Sequence, residues 1–152
     1  MIVSYSYMKN IDELIKFYKE KPFNEKARIG DVLFMRAYRS MAYGYRNKNE
    51  RLTKNILLSY LFLLFDAGGG VNDDQALFLS RVSDINFDES VEYYTKLQEI
   101  NNEFNNYLAS FLSNGNQYVN QDIFELSAII LSLKDNDIND KERQLLDLLS
   151  VK

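Results

Sequence analysis

A single proline, Pro22, interrupts the chain, and it lies close to the start. Beyond it, apolar residues recur every three or four positions through long stretches, which is the spacing of one face of an α-helix. The chain therefore reads as all-α: a helical bundle of about six to seven helices in one domain over residues 1–152, with a buried central helix. A chain of this length buries about 68–70% of its unfolded surface, enough for a core without disulfides or metals as staples. Residues 1–9 read as an N-terminal arm, because "IVSYSY" alternates like a strand but has no second strand to pair with.

The spacing predicts helices over about 11–20, 24–46, 49–66, 73–83, 88–112, 121–133 and 140–149. The first should bury Ile11, Leu14, Ile15 and Tyr18 and stop before Pro22, which cannot continue the ladder. In the second, Phe34, Tyr38, Met41 and Tyr45 form an inner stripe, with Ala37 and Ala42 allowing close approach and Gly30 as a weak point. The third is apolar nearly all round from Ile56, the pattern of a helix surrounded by others. The fourth offers Ala76, Leu77, Leu79 or Ser80, and Val82 as its inner side. The longest apolar run, "ILLSYLFLLFDA", is well short of the roughly 20 residues of a membrane span.

Missing residue types narrow the chemistry. Without cysteine there are no disulfides, thiolate metal sites or thiol nucleophiles, and without histidine there is no imidazole base or zinc ligand. With no basic segment leading into an apolar run at the N-terminus, the expected location is the cytoplasm. Charge is unevenly spread: residues 1–60 carry twelve Lys/Arg against six Asp/Glu, and residues 61–152 carry six against sixteen. The two halves either attract each other or face different partners.

Two stretches share a pattern. "VNDDQALFL" from Val71 and "INDKERQLL" from Ile138 both read as an aliphatic residue, Asn, Asp, a variable residue, an amide or acid, and then an apolar-rich helix. Asn72 and Asn139 are placed to cap the following helices, with Gln75 and Glu142 three residues on to return the hydrogen bond, a capping box. Asp66 and Asp135 stand at the expected ends of the preceding helices. The first loop then has two extra residues, and Gly68, Gly69 and Gly70 read as a left-handed helix cap and sharp turn. A phosphate loop is a poor fit, since no lysine follows the glycines and three aspartates surround them.

Two helix-turn-helix units of this design in an all-helical chain of this length resemble the tellurite-resistance TerB-like family. The detail of the resemblance lies at the two turns: Asp135, Asp137, Ile138 and Glu142 match the family's acidic pair, aliphatic residue and glutamate, while the first turn has Gln75 in place of the acid. The resemblance implies a helical bundle in a cytoplasmic or membrane-adjacent stress response, no established reaction, and divalent-cation binding at acidic turns.

Read from its residues, the second turn is no EF-hand, since Asp140 stands where the loop needs glycine and Leu146 where it needs glutamate. Asp135, Asp137, Asp140 and Glu142 are the candidate ligands of a looser oxygen site for Ca²⁺ or Mg²⁺; the simpler use of these acids is to cap helices and face the positive end of the helix dipole. A second candidate surface is the basic, tyrosine-interleaved face Arg36, Arg39, Arg46, Lys48, Arg51 and Lys54, suited to a polyanion or an acidic protein partner. A third arrangement pairs carboxylates at i,i+3, Glu89 with Glu92 and Asp122 with Glu125, as a Mg²⁺-dependent nucleotide hydrolase would. The reading that best fits the residues is a non-enzymatic protein that acts by binding a protein partner.

Overall fold

The computed structural model describes residues 10–44, 50–82, 117–135 and 137–149, together with Asp88, Glu92 and Thr95; for residues 41–44, 50–56, 117 and 118 it describes the backbone alone. Six helices account for most of these residues: α1 (Ile11–Lys19), α2 (Phe23–Gly44), α3 (Glu50–Ala67), α4 (Asp73–Arg81), α5 (Gln117–Leu131) and α6 (Asp140–Asp147). The protein is an all-α bundle, as its periodicity predicts. The arm over residues 1–9 lies outside the described residues. So does the helix expected over residues 88–112, apart from Asp88, Glu92 and Thr95, which are helical.

Short-range chemistry sets the ends of α1 and the start of α2. Asn10 caps α1 by accepting from the Glu13 amide at 2.9 Å, and Ile11, Leu14, Ile15 and Tyr18 bury the expected face. Pro22 does more than end this helix. Its carbonyl accepts from the Lys26 amide at 3.1 Å, so the same residue opens α2, where a missing N–H costs nothing.

The core draws on all six helices, and α2 packs most extensively against α5. In α2, Leu33, Phe34 and Ala37 are fully buried. Gly30 is required there by contact and not by flexibility: a Cβ would lie 2.4 Å from Cζ of Phe78, the tip of whose ring reaches the helix from α4. The third helix is buried nearly all round from Leu57, as expected, but α5 is enclosed at least as completely. From Val119 to Ser132 every residue of that segment is buried except Phe124, although Asn120, Gln121, Asp122, Glu125 and Ser127 break its apolar pattern.

One expected face is corrected. In α4 the buried residues are Gln75, Phe78 and Leu79, continued by Val82, while Leu77 is 45% exposed and Ser80 points to solvent. The capping box turns Gln75 inward, and positions 75, 78, 79 and 82 then follow on one helical stripe. Among the described residues no helix is long and apolar enough to cross a membrane.

Candidate functional site

The two turns build the most organised polar region of the described structure. At the first, Gly70 N–H bonds the Phe65 carbonyl at 2.9 Å and Gly69 N–H bonds that of Asp66 at 3.1 Å, the paired bonds of a Schellman end to α3. Gly69 has φ of +92°, the left-handed conformation this end requires and a side chain resists. Asn72 then starts α4. Its Oδ1 accepts from Gln75 N–H at 2.7 Å, and Gln75 Oε1 accepts from Asn72 N–H at 3.1 Å. The second turn repeats this, with Glu142 N–H to Asn139 Oδ1 at 2.8 Å and Asn139 N–H to Glu142 Oε1 at 2.9 Å. Both capping boxes are complete.

Each asparagine also works on the other unit. Asn72 Nδ2 donates to the carbonyl of Leu133, 61 residues away, and Asn139 Nδ2 donates to that of Ala67, 72 residues away, at 3.1 and 2.7 Å. Those carbonyls belong to the C-terminal ends of the preceding helical segments, where the helix leaves acceptors without a partner. One amide thus caps the start of its own helix with its oxygen and the end of its neighbour's with its nitrogen. The bonding is reciprocal, and it ties the ends of α3, α4, α5 and α6 together.

The residue three places on from each asparagine is buried, and the two turns meet that burial with different chemistry. Gln75, 4% exposed, keeps its carbonyl for the capping box and donates Nε2 to Ile130 O at 3.3 Å. Glu142, 1% exposed, has no hydrogen to give, and its Oε1 instead takes Lys134 Nζ at 2.7 Å. A Cβ on Gly68 would lie 2.9 Å from Glu142 Oε2, so the first glycine makes room for this carboxylate. The substitution of Gln75 for an acid is therefore a second solution at the matching position. Lys134 is the counterion that the sequence reading missed, and its place just before the acidic run was the available signal.

The lengths of the two connections also differ from expectation. Five residues separate α3 from α4, whereas eight separate α5 from α6. After Leu131 the chain continues in tight turns, with Leu133 N–H bonded to Ile130 O and Lys134 N–H to Leu131 O, so Asp135 follows the helix and does not end it. The extra residues thus lie in the second loop.

The four candidate cation ligands are not gathered. Glu142 is engaged with Lys134 and the Asn139 amide, while Asp135, Asp137 and Asp140 are exposed. Asp135 lines a shallow depression with the three glycines and Lys134, and Asp137 lines a separate groove with Asp12, Lys16 and Arg143. Among the described residues no three acidic side chains form a group that could hold a metal ion. Asp140, like Asp73 and Asp74, stands in the first turn of its helix, where negative charge meets the positive end of the dipole.

Of the basic face, Arg46 and Lys48 lie outside the described residues, as do the side chains of Arg51 and Lys54; Arg39 is exposed on α2. Arg36, expected to face outward, turns its guanidinium onto α5. Its Nε donates to Asp122 Oδ2 at 3.1 Å and its second nitrogen to Asp122 Oδ1. This charge-assisted pair holds the guanidinium above its ordinary range.

The carboxylate pair on α5 is likewise occupied. Asp122 holds Arg36, and Glu125, 1% exposed, accepts from the Tyr18 hydroxyl of α1. Burial pushes the Glu125 carboxyl up to about 7; the Tyr18 hydrogen bond and the Arg36 charge oppose this, and the Asp122 charge adds to it. Burial first, then this same bond, raise the Tyr18 phenol far above its usual range. Of the suggested hydrolase carboxylates, Glu89 lies outside the described residues and Glu92 is exposed.

No family model matches the chain, and neither the curated proteins nor the solved structures compared with it give a match.

Proposed function

We propose that this chain is a non-enzymatic helical protein of the TerB-like kind, acting in a stress response such as tellurite resistance by holding a protein partner. The observation that carries this reading is the reciprocal bonding of the two turns. A doubled helix-turn-helix unit whose two copies cap each other is a scaffold, and its best-placed polar groups are spent on holding four helix ends together. Surface is left for a partner on α4, where Leu77 projects outward, and at the first turn, where Val71 is 37% exposed. Large exposed aliphatic residues are characteristic of contact surfaces when they gather.

Calcium or magnesium at the second turn is the finer part of this reading; with Glu142 committed to Lys134 and the exposed Asp135, Asp137 and Asp140 not gathered, an ion would have to draw those three side chains together. The test has two arms. Crosslinked capture from the source cells should return a protein retained by the wild type and lost with Leu77→Glu; identical catches from both, and from an unrelated helical bait, would sink the partner reading. Thermal melting with millimolar Ca²⁺ or Mg²⁺ tests the ion, because a ligand bound only to the native state must raise Tm. A rise abolished by Asp135→Asn with Asp137→Asn supports the site, and no shift removes it.

A further inference from the structure

Helix α1 is short, and it packs chiefly against α5. Ile11, Leu14 and Ile15 pack into the core, and among the described residues an exposed bond runs from Arg143 of α6 to Asp12 and a buried one from Tyr18 to Glu125 of α5. The surface bond contributes little. The buried bond sits in a setting that treats the two protonation states of Glu125 very differently.

We propose that Glu125 is a proton-operated latch: with its carboxyl neutral, α1 is held more firmly against α5, and with the carboxyl charged, α1 opens from the bundle more readily. The geometry supplies the asymmetry. A neutral carboxyl can sit beside a neutral phenol at no electrostatic cost, with the Tyr18 O–H donating to its carbonyl oxygen. A charged one has that single neutral donor from α1. Arg36, which approaches from α2, is spent on Asp122, and Asp122 itself presents a like charge one turn earlier on α5. Among the described residues these are the charged or titratable groups facing Glu125 from the elements packed around it. Opening α1 uncovers the carboxylate to water and also exposes Ile11, Leu14 and Ile15, so the charge on Glu125 raises the opening constant while the closed form stays the major one. The proton lost on opening goes to solvent.

The sign follows from the raised value. Closed protein binds this proton more tightly than open protein, so closure is favoured at low pH and is lost as pH rises through the closed-state value of about 7. With the open state near the ordinary carboxyl value of 4.5, the opening constant of α1 should rise about tenfold between pH 6 and pH 8.

Hydrogen exchange of the α1 amides, corrected for the intrinsic dependence of exchange on pH, reads this directly in the full chain. The wild type should lose about tenfold in α1 protection from pH 6 to pH 8 while α5 amides keep theirs. Glu125→Gln, neutral and of the same shape, should make α1 protection independent of pH. Wild-type protection that does not change over this range, or a fall of equal size in Glu125→Gln, overturns the latch. A ¹³C titration of the Glu125 carboxyl in the wild type needs no variant: a midpoint near 7 supports the proposal and one near 4.5 defeats it. Tyr18→Phe removes the only bond stabilising the charge from α1 and should move that midpoint upward; an unmoved midpoint breaks the link between Tyr18 and Glu125.

Discussion

Replacing Lys134 with methionine isolates the different ways in which the two turns satisfy a buried group. Methionine keeps the apolar stem of the lysine and removes only the charge. Glu142 is then a carboxylate 1% exposed, with the Asn139 amide at 2.9 Å as its remaining donor. Breaking a buried pair by removing one partner costs about 3–5 kcal/mol. The surviving amide bond, and a lysine side chain that is itself 12% exposed, place this case near the lower end, at about 3 kcal/mol. For a chain of this size that corresponds to a fall in Tm of roughly 6–12 °C. The informative variant is the double one, Lys134→Met with Glu142→Gln. It gives the second turn the residue that the first turn already uses at the matching position, and a neutral amide needs no counterion. Stability should return to within about 1 kcal/mol of the wild type. Urea unfolding at pH 7 measures both, provided the slope of free energy against denaturant is unchanged. If Lys134→Met costs no more than an ordinary surface change, or if the double variant is as unstable as the single, then Glu142 does not depend on Lys134 and the equivalence of the two turns is wrong.

Two further substitutions probe contacts that are equally specific. Asn139→Asp keeps the oxygen that caps α6 but replaces the donor to the Ala67 carbonyl with a second acceptor, so it should cost about 1–3 kcal/mol in chemical denaturation although Asp is as good a cap as Asn; a neutral result would mean the cross-unit bond adds nothing. Gly30→Ala gains about 1 kcal/mol of helix propensity but drives a methyl into the buried Phe78 ring at about 1–3 kcal/mol, so it should be net destabilising by thermal melting, and less so in a Phe78→Leu background. A more stable Gly30→Ala protein would show that the ring moves aside.

What could be read from the sequence was what a few neighbouring residues decide. The helices, the two capping boxes and the left-handed glycine after α3 are local, and each depends on groups within five positions of one another. The use of the other end of the same asparagines was not legible, because nothing near Asn72 shows that its amide nitrogen meets a carbonyl 61 residues away. Burial of polar residues was misjudged for a related reason. Periodicity places Leu77 on the inner side of α4 and leaves Gln75 off it, since it counts apolar residues and cannot credit an amide whose hydrogen bonds are all made inside. The enclosure of α5 follows the same rule except at Gln121, whose buried Nε2 has no hydrogen-bond partner among the described residues. Its Asn120 donates to the Leu149 carbonyl, its Ser127 to that of Ile123, and its two acids hold Arg36 and Tyr18. The candidate site was legible as a motif, but not as a set of contacts.

The crossed asparagine bonds have a consequence for how the protein fluctuates. Neither turn can loosen alone, since freeing Asn72 also strips the acceptor at the end of α5, and freeing Asn139 strips the one at the end of α3. The helix ends at this pole of the bundle therefore open as one cooperative unit, with a common opening free energy across residues far apart in the chain. Independent opening is left to elements outside that unit, of which α1 is one.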